Sequence, residues 1–185
     1  MWQDRATSTV AMTALLQFNT WLTGTTLGWA VRGGVPWIWP LCETLHFMGM
    51  ALLVGIVGVL DLRLLGVARG LPVSPLSKLL PWGLAGFALN LVTGFLFYAG
   101  AAEQYMGNGD DVLPNQAFEL KLLFIVLAGL NVLVFYATGL NRQVESIEAG
   151  QDAPIAAKLV GGASLFLWVG VMYWGRMLPF IGGAF

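Results

Sequence analysis

The chain has 185 residues, of which 57% are hydrophobic and only 10% charged, with a formal net charge of −1. A soluble domain carries about a quarter charged residues, so this composition excludes an ordinary soluble fold and points to an integral membrane protein seated in a lipid bilayer. The balanced charge, without a Lys/Arg cluster, gives no footing for nucleic acid, and the single Cys42 excludes an intrachain disulfide and any Cys-pair metal site.

At the N-terminus, Asp4 and Arg5 are followed by no unbroken apolar core, so the segment does not read as a signal peptide. Thr9, Thr13, Gln17 and Thr20 fall at helical spacing on one face, opposed by Leu15, Phe18 and Leu22. That pattern predicts an amphipathic segment over 8–32 lying in the membrane interface, broken at Thr23-Gly24-Thr25-Thr26. Four apolar runs follow, each near the 20 residues that a helix needs to cross a bilayer. Their expected bounds are about 40–65, 81–101, 115–140 and 154–180, with Trp37 and Trp39 as interfacial aromatics and Asp152 as the N-cap of the fourth. The expected fold is therefore all-α and integral to the membrane, one domain of four transmembrane helices in an up-and-down bundle.

Lys/Arg bias sets orientation. The first connection carries Arg69 and Lys78 with Arg63 at its edge, and the third carries Arg142 with Lys158 beside it. The 102–114 connection has Glu103, Asp110 and Asp111 and no base. The first and third connections are expected to be cytoplasmic, with both termini on the outer side.

The polar groups within the spans converge on one level. At 1.5 Å per residue, His46, the only histidine, lies roughly 9 Å below the outer end of the first span, and Lys121 reaches a similar depth from the third. Arg176 sits about 6 Å below the outer end of the fourth span, and Tyr98 and Tyr173 flank that level. Glu43 precedes His46 by one turn, Met50 follows by one turn, and Asp61 returns to the Glu43 face after five turns. Ionisable groups in hydrocarbon turn toward the protein interior, so this face is expected to look inward. Helix phase favours Lys121 inward, on the side of Asn131, and Glu119 at the helix start, where the dipole favours a carboxylate. Asn90 and Asn131 read as interhelical hydrogen-bonding amides, and Asp61 with Arg63 as a charged group anchoring a helix end at the interface. Gly55, Gly58, Gly83, Gly86, Gly94, Gly161, Gly162 and Gly170 read as close-packing positions.

Glu43-Thr44-Leu45-His46-Phe47-Met48-Gly49, running on to Asp61-Leu62-Arg63-Leu64-Leu65-Gly66, resembles an uncharacterised bacterial family of small four-helix membrane proteins, as do Pro81-Trp82-Gly83, Lys121-Leu122-Leu123 and Gly175-Arg176. More distantly, Leu45-His46-Phe47-Met48-Gly49 and Lys121-Leu122 resemble CopD-type copper-resistance proteins and HemJ-type protoporphyrinogen oxidases. The resemblance implies a bacterial cytoplasmic (inner) membrane protein, with His46 as a ligand of haem b and Lys121 as a propionate or substrate partner. Those relatives carry further intramembrane histidines that this chain lacks. His46 would then be the single axial ligand of a five-coordinate haem, or a second would come from Met172 or from another copy of the chain. Met50 shares a helix with His46 and cannot reach the opposite haem face.

Two readings follow. In one, haem b or, alternatively, a quinone lies between the helices in the outer half, with His46 as ligand, Glu43 orienting it, and Lys121, Arg176, Tyr98 and Tyr173 around it. In the other, the chain is a non-catalytic accessory subunit of a larger membrane complex, or a homo-oligomer. Solute or proton transport ranks below both, because the spans lack the broken helices that transport sites use.

Overall fold

A computed structural model describes residues 17–106 and 115–181. Their regular structure is all helical, without strands among them, and includes four helices long and apolar enough to cross a membrane. This is a multi-pass membrane protein.

The described part begins with helical residues 17–24 (α1), a short helix α2 (Thr26–Trp29) and a π-helical turn, Ala30–Gly34, which ends at Gly33 with φ 127°. Residues 8–16 of the expected amphipathic segment lie outside the described residues. In α1 the two faces divide differently from the sequence reading. Asn19, Leu22 and Thr23 are buried together, whereas Phe18 and Trp21 point outward. The small polar residues of this face are spent on protein: Tyr98 donates to Asn19 Oδ1, and Thr23 Oγ1 donates to the Asn19 carbonyl. Val31 seats against Gly100, where a β-carbon would sit only 2.7 Å from its side chain.

Helix α3 spans Ile38–Leu65, about 42 Å of rise and longer than the hydrocarbon core. Gly66 (φ 89°) ends it: Gly66 N–H bonds the Arg63 carbonyl and Val67 N–H the Leu62 carbonyl, the paired closure of a Schellman motif. A short α4 (Val73–Ser77) leads into α5 (Leu80–Met106), which bends at Ala101. Helix α6 (Gln116–Ala137) is capped by Asn115, whose Oδ1 accepts from Ala117 N–H at 3.0 Å. The Asn115 amide also donates to the Leu178 and Ile181 carbonyls, tying the start of α6 to the end of α8. Gly139 turns the chain into α7 (Leu140–Glu145), and α8 runs Ile155–Met177. Its N-cap is Pro154 rather than Asp152, whose carboxylate instead bonds Lys158 Nζ at 2.7 Å and faces Arg69 at 3.5 Å.

The long helices pack in pairs. α3 lies along α5, α6 lies along α8, and α3 meets α8. Helices α5 and α6, adjacent in sequence, meet through Tyr98, which stacks on Phe118 with ring centroids 6.0 Å apart, and α6 is the least covered of the four. The α3–α5 crossing is a backbone contact. A β-carbon at Gly49 would fall 2.8 Å from the Gly86 carbonyl, and one at Gly86 would fall 2.7 Å from that of Gly49. Gly55 and Gly58, also expected at a packing face, meet nothing within 4 Å.

At the Asp61 end, Leu60, Leu64, Val73, Val144, Ile147, Ala153 and Ala157 form a buried apolar core. Arg63 holds the connections over it. It is 0% exposed and donates to the carbonyls of Leu71, Glu148 (2.9 Å) and Gln151 (3.1 Å). The expected Asp61–Arg63 interface group does not form. Two residues apart on a helix, their side chains diverge, Arg63 into the loops and Asp61 toward Ser164 of α8.

Candidate functional sites at the two ends of α3

At the His46 end, α3 contributes a half-buried imidazole and α5 its partner. His46 Nδ1 lies 2.8 Å from Thr93 Oγ1. The Thr93 hydroxyl has one proton, and it lies 2.7 Å from the Leu89 carbonyl one turn back in the same helix. The hydroxyl therefore donates to Leu89 and accepts from His46, which assigns the proton of a neutral imidazole to Nδ1. Nε2 keeps its lone pair, the form that ligates a metal or accepts a proton. Phe97 meets the ring edge-on at 5.4 Å and itself packs on Trp39 at 5.1 Å, and Gly94 leaves room for Cε1.

Glu43 does not orient His46. It is exposed, and the orienting group is Thr93. The spacing of Glu43 and His46 places them one turn apart, but the sequence does not show which arc of α3 is covered by α5. Lys121 is half-buried on α6, with its chain laid over Gly175 and within electrostatic reach of His46. Glu119 is exposed on the other side of α6. Tyr98 lies inside, between Asn19 and Phe118. Met172 is half-buried, but Tyr173 and Arg176 are exposed: Tyr173 rests on Trp174, and Arg176 stands over Phe180 at 5.6 Å. The expected layer is thus divided. His46, Lys121 and Tyr98 face inward, while Glu43, Tyr173 and Arg176 face outward.

At the other end lies a cavity of about 700 Å³ that none of those residues lines. Its walls are apolar, including Leu60, Leu64, Phe87 and Phe135, with Asn131, Ser164 and Asp61 among them. Trp168 closes it edge-on against Phe87 at 6.1 Å. Asn131 is spent on the α8 backbone, donating to the Val160 carbonyl at 3.1 Å. Asp61 is not so fully used. Its carboxylate bonds Ser164, yet Oδ2 is buried without a hydrogen-bond partner, as is Oδ1 of Asn141. The signal in the sequence was a carboxylate on the inward face of α3. Its proximity to Arg63 concealed it, because charges near a helix end resemble an interfacial anchor.

Among the described residues no group of three or more His, Cys, Asp or Glu side chains is placed to hold a metal ion. No family model matches the chain, and neither a curated protein nor a solved structure is significantly similar to it.

Proposed function

We propose that this chain is an up-and-down four-helix membrane protein that binds a quinone-class redox molecule at the His46 end, in the outer half of the bilayer, with both termini on the outer side of a bacterial inner membrane. The observation that carries the reading is the Thr93–His46 hydrogen bond, which holds Nε2 as an acceptor on an inward-facing imidazole. Lys121 supplies a donor of opposite character within electrostatic reach. A quinol hydroxyl donates to Nε2, and a quinone oxygen accepts from Lys121 Nζ, so one pair of side chains recognises both forms of the ring. The bound ring would supply two-electron chemistry, and the chain's own part is to orient it and to hold or release a proton at Nε2.

The residues present fit haem b less well. The imidazole tautomer suits an iron ligand, but Arg176, the second cation expected around the cofactor, is turned out of the bundle, as is Tyr173. The test is binding of decylubiquinone and decylubiquinol to the protein in nanodiscs, beside oxidised and reduced absorption spectra after haem supply. Saturable quinone binding, weakened about tenfold by His46→Ala, the scale of one hydrogen bond, is expected. A Soret band that His46→Ala removes would replace quinone by haem, and the absence of both signals would overturn the reading.

One observation favours the second reading, an accessory subunit or homo-oligomer: α6 packs along α8 alone and leaves a lipid-facing flank. A partner seated there would co-purify and would tolerate His46→Ala.

A further inference from the structure

We propose that the cavity at the Asp61 end binds a single-chain amphiphile with a protonated amine head, admitted from the bilayer between α5 and α6, with Asp61 as its counter-charge. The occupant's size follows from the volume. About 700 Å³ lies within the range of small-molecule sites. The space therefore suits an acyl chain and a compact head group. The route follows from the packing: α5 and α6 both line the cavity, yet they do not pack along one another, and exposed Leu84 and Val132 stand at its rim.

The head group follows from the unpaired atoms. Asp61 is 4% exposed, and its Oδ2 has no partner; Asn141 Oδ1 is buried and equally unpaired. Both are acceptors, so the complement is a donor. The charged side chains in the lining are Asp61, Glu145 and Lys78, which leaves an excess of one negative charge. Lys78 and Glu145 are exposed at the rim, so neither neutralises Asp61 in the interior. Arg63, the nearest cation in sequence, directs Nε and Nη2 to loop carbonyls; its Nη1 is buried without a partner, but Arg63 does not line the cavity. Intramembrane carboxylates are ordinarily paired. An ammonium supplies the missing charge and three donors, enough for Asp61 Oδ2 and Asn141 Oδ1 together; an alcohol supplies one donor and no charge.

Equilibrium dialysis of labelled dodecylamine against the full chain in phosphatidylcholine nanodiscs, with empty nanodiscs as reference, tests this. One saturable equivalent is expected, at least tenfold tighter than dodecanol, with dodecanoate failing to compete. Asp61→Asn should weaken it at least tenfold. Gly129→Phe should abolish it, because a β-carbon at Gly129, which lines the cavity, meets nothing within 4 Å and the ring projects into open space. If Asp61→Asn does not fold, Gly129→Phe decides the matter. Uptake equal to that of empty nanodiscs, dodecanol competing as well as the amine, or Gly129→Phe leaving amine binding intact would each overturn the proposal. His46→Ala should leave dodecylamine binding unchanged, so failure here is separable from failure of the quinone reading.

Discussion

His46 and Asp61 lie on one helix, about 22 Å apart along its axis, and they meet their surroundings in different ways. Around His46 most polar atoms are used in pairs: imidazole with threonine, tyrosine with asparagine, and a capping amide with two carbonyls of the neighbouring helix; the exception, Asn90 Oδ1, is packed against Gly49 and does not line the cavity. Around Asp61 the apolar core is tight, yet acceptor atoms are left unpaired beside open volume. Buried polar groups are ordinarily satisfied, so the two arrangements carry different information. A satisfied group fixes geometry, as Thr93 fixes the His46 tautomer, whereas an unsatisfied group facing space describes the chemistry of what fills that space.

The largest expected effect sharpens this contrast on its structural side. Arg63→Ala removes a fully buried guanidinium that holds three carbonyls from two connections, and hydrogen bonds to charged groups are each worth about 1.5–3 kcal/mol. A loss of about 3 kcal/mol or more is expected in reversible unfolding in bicelles, with faster amide exchange over 66–72 and 146–152. His46→Ala breaks a single neutral hydrogen bond and should cost about 1 kcal/mol in the same measurement. Equal losses would mean that Arg63 is not the fastener of this end.

The same substitution at two glycines comes next. Gly86→Leu drives a side chain into the Gly49 carbonyl and should destabilise by about 2–3 kcal/mol, because the α3–α5 backbones must part. Gly129→Leu enters open volume and should be close to neutral. A large loss at Gly129 would show that the cavity does not tolerate an occupant.

The four long apolar helices were legible because hydropathy over about 20 residues is set by the bilayer, without reference to any neighbour. Which arc of each helix faces which partner is a pairwise property that periodicity carries weakly when nearly every position is apolar. Glu43 shows the consequence. Helical phase sets it within about 60° of His46, but α5 covers the arc that carries His46 and leaves Glu43 exposed. Arg176 and Tyr173, expected to face the same layer, are turned outward by their rotation about α8. Thr93 was missed because a mid-span threonine ordinarily bonds its own helix, and here it does so while also accepting from histidine. The cavity was invisible for a different reason: it arises where sequence neighbours α5 and α6 fail to pack along one another, and no local pattern encodes a missing contact.

Thr93→Val isolates the tautomer at the His46 end. It keeps the shape, removes the acceptor of the Nδ1 proton, and frees the imidazole to place that proton on either nitrogen. Binding of decylubiquinol should weaken about tenfold, the equivalent of about 1.4 kcal/mol, and Thr93→Ser should restore it. An Nδ1 proton that persists in ¹⁵N NMR of Thr93→Val would show that another group orients His46.

The smallest effect belongs outside the membrane, at the connection that Arg63 holds from within. The Lys158 ammonium, with help from Arg69, holds the Asp152 carboxyl below the usual carboxylate range. A carboxylate whose folded pKa is depressed stabilises the fold above its unfolded pKa and loses that contribution as pH falls through the folded value. Stability of the wild-type chain should therefore decline slightly below about pH 4, the ordinary range for an aspartate, and Asp152→Asn should flatten that limb without changing the plateau near neutrality by more than the scatter of an exposed ion pair. High salt should shrink the difference. If the acidic limb survives in Asp152→Asn at full size, the titrating group is another carboxylate whose folded state favours the ionised form.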